Sequence, residues 1–164
     1  MEVITLVGKQ NSGKTTTLKN LILEFEKSGA KLLSAQSGCG VINPSILKGL
    51  SLLQYFHQNN PSDPTVKFQY KNRIIGITTL GDKYKDIVTR FKLVAPCDVF
   101  VCASHNFTKL QQVISVVAAT NVSFRRVDAV RCQNTSKQVD FKVKLCCEYA
   151  NYLALKELMA QLGL

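Results

Sequence analysis

The sequence predicts an α/β domain of three layers, a mostly parallel sheet between helices. Three observations carry that expectation. Short apolar and β-branched runs alternate with stretches of helical period. A glycine-rich turn joins the first such run to the first helix. One pair of strand-like runs is separated by only two residues, which implies one antiparallel hairpin strand. The 164 residues suffice for one filled core and are few for two, so residues 1–164 are expected to form a single domain.

Residues 2–7, EVITLV, read as a buried strand. Residues 14–28 carry Leu18, Leu21, Ile22 and Phe25, the i, i+3, i+4, i+7 spacing of an amphipathic helix. Gly29 stands where a helix-ending glycine belongs. Residues 31–35, KLLSA, read as a second strand, and the β-loop-α-β unit predicts that the two strands are parallel neighbours. Residues 36–44 read as a loop and residues 45–58 as a helix, followed by a break with two prolines. Residues 65–70 and 73–80 form the hairpin, turning at Lys71-Asn72. A loop and helix lead to Pro96, and residues 98–103 make another buried strand. A helix is expected over 107–120, an alternating last strand over 124–132 and a long helix over 140–162.

The bulk properties narrow the class. The hydrophobic fraction of 46% is ordinary for a globular protein. No apolar run reaches the roughly 18 to 20 residues that cross a bilayer, and the N-terminus lacks a signal peptide's basic region and apolar core. A cytoplasmic protein without membrane association is expected. The six cysteines form no C-x-x-C pair, and free thiols are expected. Net charge is +10, which favours an anionic partner: a nucleotide, a nucleic acid or an acidic protein.

The chemistry lies in residues 7–20, VGKQNSGKTTTLKN. Gly8, Gly13, Lys14 and Thr15 match G-x-x-x-x-G-K-[ST] in full, between a strand and a helix as the pattern requires. Glycines let successive backbone N–H groups turn inward, and with the helix N-terminus those donors hold a di- or triphosphate. Gly8, Asn11, Ser12, Gly13, Lys14, Thr15 and Thr16 are the predicted nucleotide-binding residues. Lys14 is expected to reach the β- and γ-phosphates as a point charge, and the Thr15 hydroxyl to ligate Mg²⁺.

With those residues the chain resembles the P-loop NTPases. GKQNSGKTTTLKNLILEFEKSGAKL is also similar to the start of the molybdopterin-guanine-dinucleotide accessory proteins. That likeness covers about the first 35 residues; those proteins have a Lys-His pair after their second strand, where this chain reads SAQSGCG.

A P-loop site usually adds an acidic residue at the end of a neighbouring strand. Ras-like GTPases use Asp-x-x-Gly there. This chain has Thr78-Thr79-Leu80-Gly81, followed by Asp82. Asp82 is the predicted second metal and catalytic residue, as proton acceptor; Thr78 or Thr79 is a candidate for a magnesium-bound water. Asp98 begins a strand and is expected to be structural. His105 leaves the carboxyl end of that strand, toward the ligand edge. Asn134, Ser136 and Lys137 are placed where a base would pass. The guanine-reading Asn-Lys-x-Asp signature is absent, so ATP is expected before GTP. A charge-stabilising arginine would be Arg73, Arg90 or Arg131, or come from a partner.

The expected function is Mg²⁺-dependent binding and hydrolysis of a nucleoside triphosphate. A nucleotide or small-molecule kinase is the alternative, although residues 36–64 contain no arginine for an acceptor pocket. A further alternative is a nucleotide-binding accessory module without turnover. A homodimer across the nucleotide face is a possibility by analogy alone, and the residues do not decide the oligomeric state.

Overall fold

The computed structural model describes residues 1–10, 12–37, 40–42, 52, 55, 63–81, 83–118, 120–129 and 141–164. Its strands are β1 (Glu2–Val7), β2 (Lys31–Ser37), β3 (Gly40–Ile42), β4 (Thr65–Tyr70), β5 (Arg73–Thr78), β6 (Val99–Ser104) and β7 (Ser123–Asp128). Its helices are α1 (Lys14–Lys27), α2 (Tyr84–Val94), α3 (Phe107–Val117) and α4 (Phe141–Leu162). The predicted helix over 45–58 lies outside the described residues apart from Leu52 and Tyr55.

The strands form one sheet in the order β3-β2-β4-β5-β6-β1-β7. β1 pairs in parallel with β6 and β7, and β5 with β6. β4 runs against β5 and β2, and β3 against β2. The fold is therefore α/β with a mostly parallel sheet, five strands sharing one direction and β3 and β4 opposing it. The expected single opposed strand thus has a companion, β3, in a stretch read as loop.

A second expectation fails: β1 and β2 are not neighbours, because β4, β5 and β6 stand between them. A crossover helix fixes direction and hand, not the number of strands it skips. Burial decides the rest. β1 is apolar and inaccessible from Val3 to Leu6, Thr5 included, so it is sandwiched between β6 and β7. β2 carries Ser34, Gln36 and Ser37 and tolerates a position nearer the edge.

Helices pack on both sheet faces, an arrangement compatible with three α/β/α layers. Leu18, Leu21, Ile22 and Phe25 of α1 share one core with Ala154, Leu158 and Leu162 of α4 and with Ile4, Leu6, Ile75 and Val101 of the sheet. Phe25 stacks on Phe68 at 5.6 Å and meets Tyr70 edge-on at 5.5 Å. Burying each such side chain contributes about 1.5–3 kcal/mol. The other face buries Ile87 and Phe91 of α2 with Leu110 and Ile114 of α3 against Val3, Phe100 and Cys102.

The local signals are obeyed. Lys71 and Asn72 have φ of 46° and 61°, the paired positive angles of a type I′ hairpin turn. Gly29 follows α1 and donates to the Glu26 carbonyl at 3.1 Å. The last strand stops at Asp128 and α3 at Val117, short of their predicted ends.

Candidate functional site

The chain leaves β1 tied to both neighbours. Gly8 N donates to Ser104 O at 3.1 Å, and Ala129 N to Val7 O at 2.7 Å. The register sets Val7 level with both Ser104 and Asp128, so Gly8, His105 and Ala129 start their loops side by side.

Gly13 is the N-cap of α1, with φ 80° and ψ 7°, a left-handed geometry that side chains disfavour. It supplies no side-chain cap, and the first turn of α1 holds no acidic residue. The first N–H groups of a helix have no intrahelical acceptor, and the macrodipole adds partial positive charge there. Thr17 Oγ1 donates to Gly13 O at 3.1 Å, closing the turn from the helix side.

Lys14 is only 7% exposed. Its Nζ donates to Gly8 O at 2.8 Å and Lys9 O at 2.7 Å, with Ser12 Oγ at 3.4 Å. Charge-assisted bonds to the loop's own carbonyls offset the cost of burying the ammonium. They also fold the side chain over the loop.

A cavity of about 370 Å³ opens beside this turn. Ser12, Gly13, Lys14, Thr15 and Thr16 line it, opposite Thr79, Gly81 and Ala103. Ser12 to Thr16 of the predicted phosphate loop and Thr79 and Gly81 of the TTLGD stretch therefore face one space. Gly8 does not line this cavity and borders a second one. Asn11 and Asp82 lie outside the described residues, as do Arg131, Asn134, Ser136 and Lys137.

The two threonine candidates part company. Thr78 is fully buried, its Oγ1 2.8 Å from Thr65 Oγ1 across the β4–β5 pair. It is committed to the sheet and does not line the cavity. Thr79 does line it, its hydroxyl 3.4 Å from Pro64 O. Gly81 is pressed against β6: an added Cβ would meet Ala103 O at 2.5 Å.

His105 is exposed, with Nδ1 3.0 Å from Gly8 O. The Gly8 carbonyl thus accepts from both Lys14 and His105 when Nδ1 carries the proton. His105 also borders a second cavity of about 360 Å³ with Arg126, Asp128 and Lys9. Asp98 sits at the opposite sheet edge, where its Oδ2 accepts from Ile74 N at 2.6 Å. Arg73 is at that edge too, paired with Glu2 at 3.1 Å, so it is no candidate for a γ-phosphate. Arg90 lies on α2 and does not line the cavity.

One neighbour of the loop escaped sequence reasoning. Asn151 of α4 lies so close to Gly13 that a Cβ there would overlap its side-chain amide. Nothing local marks Asn151; only the packing of α4 on α1 brings it there.

The thiols divide by surroundings. Burial pushes Cys97 up to about 11 and Cys102 to about 12. Cys97, Cys102 and Cys146 are free, but Cys147 is disulfide-bonded, which corrects the expectation of free thiols throughout. Its partner lies outside the described residues. A search for close spacing along the chain misses a bridge closed by tertiary structure.

Among the described residues, no group of three or more His, Cys, Asp or Glu is placed to hold a metal ion, and no helix is long and apolar enough to cross a membrane. The side chains that line the cavity offer neutral oxygens, the hydroxyls of Thr15 and Thr79 and the carboxamide of Gln10 among them. Such a set suits a hard ion that keeps most of its waters, as Mg²⁺ does. No family model, curated protein or solved structure matches the chain.

Proposed function

We propose that the chain is a P-loop protein that binds a nucleoside triphosphate, ATP before GTP, and hydrolyses it with Mg²⁺. One observation carries this reading. An uncapped, acid-free helix N-terminus follows a left-handed glycine, beside a buried lysine and a cavity. Water alone does not require that combination, whereas a polyphosphate uses each part.

The roles follow from the residues. The N–H groups of the loop and first turn donate to phosphate oxygens. Lys14 exchanges its loop carbonyls for the β- and γ-phosphates. The Thr15 hydroxyl would hold Mg²⁺, with Asp82 as second contributor. Bound Mg²⁺ would neutralise charge on the phosphate oxygens. Asp82 accepts the proton of the attacking water.

The test is a panel of nucleotides scored by thermal shift. A ligand at 100 times its Kd adds about 2.7 kcal/mol of apparent stability. The wild type should respond to Mg·ATP and release phosphate, and Lys14→Ala should lose both. If Lys14→Ala responds as the wild type does, the phosphate-loop assignment is wrong. Binding without phosphate release would favour the accessory-module alternative, and phosphate transfer to an added acceptor the kinase.

A further inference from the structure

The cavity opens at a sheet edge crowded with lysines. Lys9 follows β1, Lys83 and Lys85 flank the start of α2 after β5, and Lys109 sits in the first turn of α3 after β6. All four are exposed. Because β5, β6 and β1 are consecutive in the sheet and parallel, the three connections lie side by side.

Among the described residues, none of these lysines has a carboxylate partner in an ion pair. Lys109 lies over the Tyr84 ring at 5.0 Å, which stiffens it without neutralising it. The described acids beside these lysines are Asp86, in the first turn of α2, and Asp128, which borders a cavity with Lys9 and pairs with Arg126. Ion pairs are found elsewhere, where Arg73 and Arg125 share Glu2, Arg126 pairs with Asp128 and Lys27 with Glu24; what sets the rim apart is that its four lysines are gathered on three adjacent connections.

The spread of the lysines separates two uses. Three neighbouring strand ends cover about 10 Å, before the first turns of α2 and α3 are added. None of the four lysines lines the cavity itself, so a triphosphate seated on the loop leaves this rim open to a further anion. A chain of phosphates reaches them all, and lysine pairs with phosphate as a point charge, indifferent to sequence. Among the described residues, no helix or ribbon stands out from this edge to enter a duplex groove. We infer that the Lys9, Lys83, Lys85 and Lys109 rim binds the phosphate backbone of single-stranded nucleic acid, across the mouth of the cavity. This surface does not depend on nucleotide turnover.

The experiment is fluorescence anisotropy of a labelled 20-nucleotide oligothymidylate with the full chain, titrated from 50 to 200 mM KCl. Each neutralised phosphate contributes about −0.7 to the slope of log affinity against log salt. Four lysines give about −3, an affinity loss of roughly 50-fold across that range. The variant Lys83→Gln/Lys85→Gln/Lys109→Gln should retain its melting temperature and its Mg·ATP shift, and its slope should fall to about −0.7. Lys83→Gln alone should remove about 0.7 of slope, an arm that survives if the triple variant folds poorly. No binding at 50 mM salt, an unchanged slope in the variants, or equal competition by polyglutamate each overturns the inference. Oligonucleotide binding without any nucleotide-induced shift would instead sink the nucleotide reading and leave the rim standing.

Discussion

Gly13→Ala tests both the loop conformation and the contact with α4. The backbone at Gly13 has φ 80°, and a left-handed conformation costs a side chain about 1–2 kcal/mol. The new methyl group would also overlap the Asn151 amide, and forcing extra volume into a packed contact costs about 1–3 kcal/mol. Asn151 ends in a flexible amide, so the lower half of that range is expected. Gly13→Ala should therefore destabilise the ligand-free protein by about 2–4 kcal/mol. In an Asn151→Ala background the overlap is gone, and only the backbone cost of about 1–2 kcal/mol remains. The double-mutant cycle should give a coupling of about 1–2 kcal/mol. Urea unfolding followed by circular dichroism reads all four proteins, with m-values that should agree. A Gly13→Ala cost below about 0.5 kcal/mol, within the range of neutral surface changes, would refute the left-handed cap. An equal cost in both backgrounds would refute the Asn151 contact.

Gly81→Ala should lower Mg·ATP affinity and cost about 1–3 kcal/mol, because its obstacle is the Ala103 backbone carbonyl; calorimetric titration indistinguishable from wild type would contradict that packing. Asp82→Asn and added EDTA should each abolish phosphate release while leaving ATP binding by Asp82→Asn detectable by thermal shift; undiminished release in Asp82→Asn would remove Asp82 from the chemistry. Iodoacetamide at pH 8 should label Cys146 first and Cys102 last, since a thiol at about 11 or 12 is at most roughly one part in a thousand thiolate there; peptide mass mapping reads the order, and fast Cys102 labelling would contradict its burial. The same two thiols fold in their neutral form, so their contribution is complete below the ordinary value of 9.0 and is lost as pH rises toward about 11 and 12. Unreduced mapping should find Cys147 in a bridge, and a free Cys147 would refute that assignment.

What could be read from the residues was local. The strand ahead of Gly8, the period of α1, the Lys71-Asn72 turn and the ending at Gly29 each depend on neighbours within a few positions. The proposed phosphate loop is legible for that reason: its candidate donors, the Gly13 cap position and Lys14 occupy eight consecutive residues, Gly8 to Thr15. The misplaced β2 is of another kind. Its distance from β1 is set by which strands fill the sheet between them, and no window along the chain holds that choice. Asn151 and the Cys147 bridge were hidden likewise, since α4 reaches the loop only through the core it shares with α1. Thr78 and Thr79 are chemically identical, and only the pleat of β5 against β4 assigns one to Thr65 and leaves the other to the cavity.

The Gly8 carbonyl, shared by Lys14 and His105, has a consequence for selectivity. Lys14 is already satisfied, so an incoming anion must outbid two carbonyls before it gains the ammonium. On the proposed function, weakly charged ligands such as chloride or a phosphate monoester would offer too little in exchange and leave the latch shut. A tri-anionic or tetra-anionic tail would repay the swap and draw Lys14 off the Gly8 carbonyl, leaving that acceptor to His105. The loop would then set a threshold for charge, admitting ligands by their number of phosphates before any part of the protein touches the base.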